Sequence, residues 1–218
     1  MVISRVLEGG RILRYTLAER VVHWVAGISY LYLLATGLAF FDPFLFRVTS
    51  LLGGAATARS WHPWAGVIFA AAVVWMYAIW HKDMRITDVD RAWSRAIGYY
   101  IRNEDENLPP ASRFNAGQKQ LFWLMFYGGL LLLASGLVLW LPEYLPWSFR
   151  WLRYTAVLVH PLAALATIGG FIVHFYMGTA VARGGFTSII RGEVSQAWAR
   201  MHHRLWLNQI LQESGEKK

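Results

Sequence analysis

Apolar residues in this chain gather into four long stretches, at about 20–41, 61–81, 118–141 and 152–181, while the charged residues collect between them. A soluble domain of this length would spread its charges along the chain. Each stretch instead has about the 20 apolar residues that a helix needs to cross a bilayer. The pattern therefore predicts an all-α, integral membrane four-helix bundle. The first stretch does not read as a cleaved signal peptide, because its apolar run exceeds the roughly 7–15 residues of a signal core and no small-x-small cleavage site follows. With no long Gly/Ser linker and no low-complexity tract, residues 1–218 read as a single transmembrane domain.

Composition agrees: 56% of residues are hydrophobic and only 16% are charged. The net charge of +8 raises the question of nucleic acid, and the placement of the charges answers it. Of the 21 Lys and Arg, seventeen fall before the first span, in the second loop and its exit, or in the tail, and four fall in the first and third loops. With four spans these segments alternate sides. The bias is the positive-inside pattern and predicts that both termini are cytoplasmic. The basic balance then reflects topology and contact with an anionic lipid bilayer, with no nucleic acid partner. The longest loop, 82–116, belongs to the same side, and its "NEDENLPPAS" stretch reads as an exposed polar turn region.

The chain has no cysteine, so it can form no disulfide, hold no iron–sulfur cluster and attach no haem by thioether. Any redox centre must be held by histidine. On the expected topology His62 and His160 lie near the outer face, and His23 and His174 lie deeper toward the cytoplasm; His81 ends the second span. His160 and His174 are fourteen residues apart, about 21 Å along a helix axis and only roughly 40° around it. Both therefore point to the same interior face, where facing helices of a bundle hold cofactors. Histidines from opposite helices can clamp a flat macrocycle, each giving a neutral imidazole nitrogen to iron.

An intramembrane histidine also serves as a hydrogen-bonding residue or proton relay. Two pairs at matched depth, in spans with no acidic residue beside them, favour two haem groups over a His/carboxylate metal site. Glycines 27, 37, 66, 128, 129, 136, 169 and 170 let either helix backbones or a macrocycle approach closely. Adjacent His202 and His203 do not share a helix face, so they read as part of a polar tail. Asn115, with Gln118 three residues later, reads as a capping-box pattern at the entry of the third span.

Several segments in order carry a resemblance: "RYTLAERVVHW" (14–24), "WHPWAGV" (61–67), "RFNAGQKQLFW" (113–123), "SGLVLW" (135–140), "LVHPLA" (158–163), "IVHFYMG" (172–178) and "GEVSQAWARMHH" (192–203). Together they resemble the gamma subunit of membrane-bound formate dehydrogenase, a di-haem cytochrome b. The resemblance covers nearly the whole chain. It implies two haem b groups, with His62 and His160 ligating the one near the periplasm and His23 and His174 the one near the cytoplasm. It further implies a quinone pocket at "NAGQ", with Asn115, Gly117 and Gln118, and a location in the bacterial inner membrane. Pro161, directly after His160, departs from the family pattern and removes one backbone hydrogen bond from its helix.

The resemblance implies a membrane-anchoring subunit that receives electrons from a periplasmic iron–sulfur beta subunit and carries them to quinone. Formate itself would be oxidised on a molybdenum or tungsten alpha subunit, and this chain would hold no formate-oxidising site. The neighbouring alternative is the cytochrome b of a nickel–iron hydrogenase or of a thiosulfate-reductase-like complex. A haem-free anchor or a small transporter is the alternative of a different class.

Overall fold

The computed structural model describes residues 5–102, 104–182 and 184–215. In chain order the named elements are β1 (Arg11–Leu13), α1 (Leu17–Phe41), α2 (Ala55–Trp80), α3 (Asp88–Arg95), α4 (Ile97–Ile101), α5 (Ala116–Trp140), α6 (Arg150–Tyr176), α7 (Gly185–Arg191), β2 (Glu193–Ser195), α8 (Gln196–His202) and α9 (Arg204–Glu213). The four expected spans are α1, α2, α5 and α6, each long and apolar enough to cross a membrane. Helix α6 runs unbroken through Pro161, and α2 through Pro63. The described residues fall into two compact units. One comprises Val21–Ala78 and Trp123–Phe171, and the other the chain up to Arg20, Ile79–Phe122 and the chain from Ile172.

In the first unit, side-chain contacts set the direction of each helix. Thr36 meets His62 and Tyr30 meets Phe69, so α1 and α2 run antiparallel. Trp64 meets Trp140 and Tyr77 stacks on Phe126, so α2 and α5 do too. Gly136 faces His160 and Gly128 faces Thr167, which makes α5 and α6 antiparallel as well. The unit is an up-down-up-down bundle. Its inward stripe is narrow and carries small residues such as Ala65, Ala72, Ala156 and Ala163. The outward faces are equally apolar, with Ile28, Leu158 and Leu162 each about two-thirds exposed on the bare chain. Helices apolar all round are at home in lipid. Hydroxyls inside the spans bond back to their own helix, as Ser29 does to the carbonyl of Val25.

The other unit is built by chain pieces far apart in sequence. Strand β1 pairs antiparallel with β2, with Ile12 opposite Val194. Ile12, Val194, Ala199, Trp206, Leu207 and Ile210 form its core. The expectation of a polar tail at His202–His203 is corrected here: His203 is fully buried, its ring nitrogens 3.0 Å from Arg14 Nη2 and 2.8 Å from the Ser112 carbonyl. Arginine only donates, so Nε2 accepts from Arg14 and Nδ1–H donates to Ser112. Burial, with Arg14 beside it, holds the His203 pKa well below its ordinary value. Arg14 itself lies among the rings of Trp198, Tyr15, Trp206 and Phe114, at 4.9 to 6.0 Å. Such cation–π contacts compensate a buried guanidinium for part of its lost hydration.

The long loop folds back on the same unit. Arg113 pairs with Glu19 at 2.6 Å and with Asp83 at 2.9 Å, and Trp80 Nε1 donates to the same Glu19 oxygen, Oε1, at 2.6 Å. Lys119 pairs with Asp90 at 2.7 Å, and Asp90 completes a capping box with Thr87 at the start of α3. The polar turn expected at 103–112 is exposed at Glu106 and Asn107, but Ala111 is buried and its carbonyl accepts from Leu205 N. Asn103 lies outside the described residues.

Candidate functional site

His62 and His160 face each other from α2 and α6. Their ring centres are 6.4 Å apart, with the planes inclined at 61°. Each ring is held from behind by a hydroxyl on a neighbouring helix. Thr36 Oγ1 lies 2.6 Å from His62 Nδ1, and Ser135 Oγ lies 3.0 Å from His160 Nδ1. Each hydroxyl is also 2.7 Å from the carbonyl four residues earlier in its own helix, Tyr32 or Leu131.

The proton count follows. A hydroxyl has one proton to give, and in a span the carbonyl, which can only accept, takes it. The hydroxyl oxygen must then accept from the imidazole, so Nδ1 carries the ring proton in both histidines. Nε2 is left with its lone pair. A partner that fixes the tautomer in this way is what a metal-ligating histidine requires.

Room for the rings comes from glycine. A Cβ built on Gly136 would lie 3.2 Å from His160 Cε1, and one on Gly37 would lie 3.6 Å from His62 Cε1. Thr36–Gly37 and Ser135–Gly136 thus do the same two jobs on two helices, one residue orienting the imidazole and the next clearing space for it. The sequence repeats accordingly: "ATGL" at 35–38 and "ASGL" at 134–137. Thr36 and Ser135 were not singled out from the sequence, and this repeated tetrapeptide is the signal that marks them.

The residues present fit a haem between this pair. A metal–imidazole bond of about 2 Å on each side of one ion, plus the two ring radii, sets ring centres about 6 Å apart. Among the described residues no group of three or more His, Cys, Asp or Glu could hold a metal. Two protein ligands are enough where the remaining ones come with the metal, as they do in a porphyrin.

The other expected residues are placed as follows. His23 sits in the second turn of α1, half-buried, with its ring edge-on to Trp24 at 5.8 Å. His174 lies in the last turn of α6. These two belong to different units. Asn115 and Gln118 form the capping box at the start of α5: Asn115 N donates to Gln118 Oε1 at 3.0 Å, and Gln118 N to Asn115 Oδ1 at 2.9 Å. Both amide oxygens are thereby used, which leaves both NH2 groups as donors. A Cβ on Gly117 would lie 3.5 Å from Asn115 Oδ1 and 3.7 Å from the Trp93 ring.

Four apolar spans, histidines paired between them and no cysteine make up the build of a membrane b-type cytochrome. The chain belongs to the prokaryotic cytochrome b561 family, whose model matches residues 14–192. It is 33% identical over 209 residues to the formate dehydrogenase cytochrome b556(fdo) subunit of Escherichia coli K12, covering 95% of this chain and 96% of that one. The formate dehydrogenase cytochrome b556 subunit of Haemophilus influenzae is 29% identical, over 90% of this chain and 82% of its own. The nitrate-inducible cytochrome b556(Fdn) subunit of E. coli K12 is 28% identical, over 95% of each chain. The protein is a membrane cytochrome b with an electron-transfer role, and its family implies haem b.

Proposed function

We propose that this chain is the di-haem subunit of a membrane-bound formate dehydrogenase complex, carrying electrons across the bacterial inner membrane to quinone. The observation that carries the reading is the His62–His160 pair, each ring held through Nδ1 by a hydroxyl, which leaves the Nε2 lone pair for a metal. These two residues would hold the outer haem, and His23 with His174 the inner one. The second pair is assigned from depth counted along the sequence, with His23 near the start of the first span and His174 near the end of the fourth. Haem supplies reversible one-electron transfer when bound; the chain's part is to hold, space and desolvate it.

Both termini are assigned to the cytoplasm from the uneven distribution of Lys and Arg. Reporter fusions at the tail would score cytoplasmic, and a periplasmic score would exchange the inner and outer sites. On this orientation the short outer loops face a periplasmic iron–sulfur subunit, which relays electrons from a molybdenum or tungsten catalytic subunit. Moving an electron toward a negative interior costs about 2.3 kcal/mol per 100 mV, which a strongly reducing substrate such as formate can supply.

Quinone reduction is assigned to the start of α5. The capping box consumes the oxygens of Asn115 and Gln118 and leaves their NH2 groups available to quinone carbonyls, while Gly117, between them, lets the Trp93 ring approach the backbone. Capping and quinone binding are therefore compatible. The test uses the whole complex carrying Asn115→Ala or Gln118→Ala. Formate-driven haem reduction should persist while quinone reduction falls sharply. Normal quinone turnover with only a lower Tm would make these residues caps alone.

A further inference from the structure

Two turns inward from the histidines, residues of all four spans meet. Seven residues separate His23 from Tyr30 on α1 and His62 from Phe69 on α2, and the same interval separates His160, Thr167 and His174 on α6. Seven residues advance a helix by about 10 Å and return it to nearly the same face. Tyr30, Phe69 and Thr167 thus lie halfway between the two histidine levels.

They are in contact there. The Tyr30 hydroxyl is 3.1 Å from Thr167 Oγ1, which itself donates to the Ala164 carbonyl at 2.9 Å. With its proton committed, Thr167 accepts from Tyr30. The Tyr30 ring centre is 5.3 Å from that of Phe69 and 5.3 Å from that of Phe171. Helix α5 closes the cluster without side chains of its own: a Cβ on Gly129 would lie 3.1 Å from Phe69, and one on Gly128 only 2.6 Å from Thr167 Cγ2. Tyr30, Phe69 and Thr167 are at most 5% exposed.

Aliphatic side chains would fill this layer as well and would spare the spans a hydroxyl pair that must be satisfied in hydrocarbon. What the aromatic layer adds is close-packed π density midway between the two levels. Electronic coupling decays more slowly through packed atoms than through gaps. We infer that Tyr30, Phe69 and Phe171 are the medium through which the electron passes from the outer haem level to the inner one, and that the Tyr30–Thr167 bond fixes the central ring. The inference rests on the two-haem reading above. One electron leaves one level and arrives at the other, and the rings gain and lose none, so no further oxidant or reductant is involved.

The experiment compares Tyr30→Leu, Phe69→Leu, Phe171→Leu and Tyr30→Phe in the intact complex. For each, haem content and midpoint potentials are measured first, then the rate of inter-haem transfer by transient absorbance after photoreduction. The leucine variants should keep two haems at native potentials while the inter-haem step slows several-fold. Tyr30→Phe, which keeps the ring and loses the hydroxyl, should slow it less. Phe171 is only half-buried, so its variant remains informative if the deeper ones do not fold. Native rates in variants with both haems bound would overturn the inference alone. A native complex with fewer than two haems in this chain would instead overturn the reading beneath it.

Discussion

His62 Nδ1 and Thr36 Oγ1 lie 2.6 Å apart, and because the threonine proton goes to the Tyr32 carbonyl, the imidazole must be the donor. Ser135 does the same for His160. Removing such a partner from a ligating histidine typically weakens metal binding by about 10–100-fold. Thr36→Val and Ser135→Ala should each weaken retention of the outer haem by that order and shift its midpoint potential, with the inner haem unchanged. Haem content after detergent washing and a redox titration are the readouts. Unaltered content and potential in both variants would mean that the hydroxyls do not set the tautomer.

The two glycines beside the rings should differ in tolerance. At Gly136 an added methyl would meet His160 Cε1 at 3.2 Å, closer than ordinary contact, whereas at Gly37 the distance to His62 is 3.6 Å. Gly136→Ala should therefore displace the imidazole and lower outer-haem occupancy, while Gly37→Ala should bind near normally. The α-band of the purified protein measures both, and equal occupancy in the two variants would contradict the spacing argument.

Acid should loosen the unit that contains Asp90. Burial by itself would raise the Asp90 pKa, but the hydrogen bond from Lys119 and those from Thr87 outweigh it, and the pKa is lowered. A carboxylate with a depressed folded pKa contributes stability at and above its ordinary range, and that contribution is lost as pH falls through the folded value. Thermal midpoints in detergent should fall below about pH 4, and Asp90→Asn should flatten that fall. The same variant should be less stable at neutral pH by about 3–5 kcal/mol, because it leaves the buried Lys119 charge without its partner. An Asp90→Asn protein with native stability at pH 7 would show the pair to be dispensable.

How much of this was legible in the sequence depended on how local the signal was. The spans were legible because exclusion of charge over twenty residues is a property of each stretch alone. The structure brings His62 and His160 together, and their common depth follows from counting along helices. Thr36 and Ser135 were not found, since a lone hydroxyl in a span can always satisfy itself on its own helix. Only the repeat of Ala-Thr/Ser-Gly-Leu on two helices distinguishes them. The burial of His203 was missed for a different reason. Its partners Arg14 and Ser112 come from distant parts of the chain, and the β1–β2 pairing that joins the N-terminal and C-terminal pieces uses strands of three residues, too short for an alternation signal. The Asn115–Gln118 box was readable because a cap is local.

The central claim is that this chain holds two haems on four histidines, and haem stoichiometry tests it most directly. Pyridine haemochrome analysis of the purified native protein and of His23→Ala, His62→Ala, His160→Ala and His174→Ala should give two haem b per native chain. Loss of either outer ligand should remove one haem, and loss of either inner ligand the other, each leaving a distinct potential behind. One haem in the native chain, or two retained in all four variants, would contradict the account.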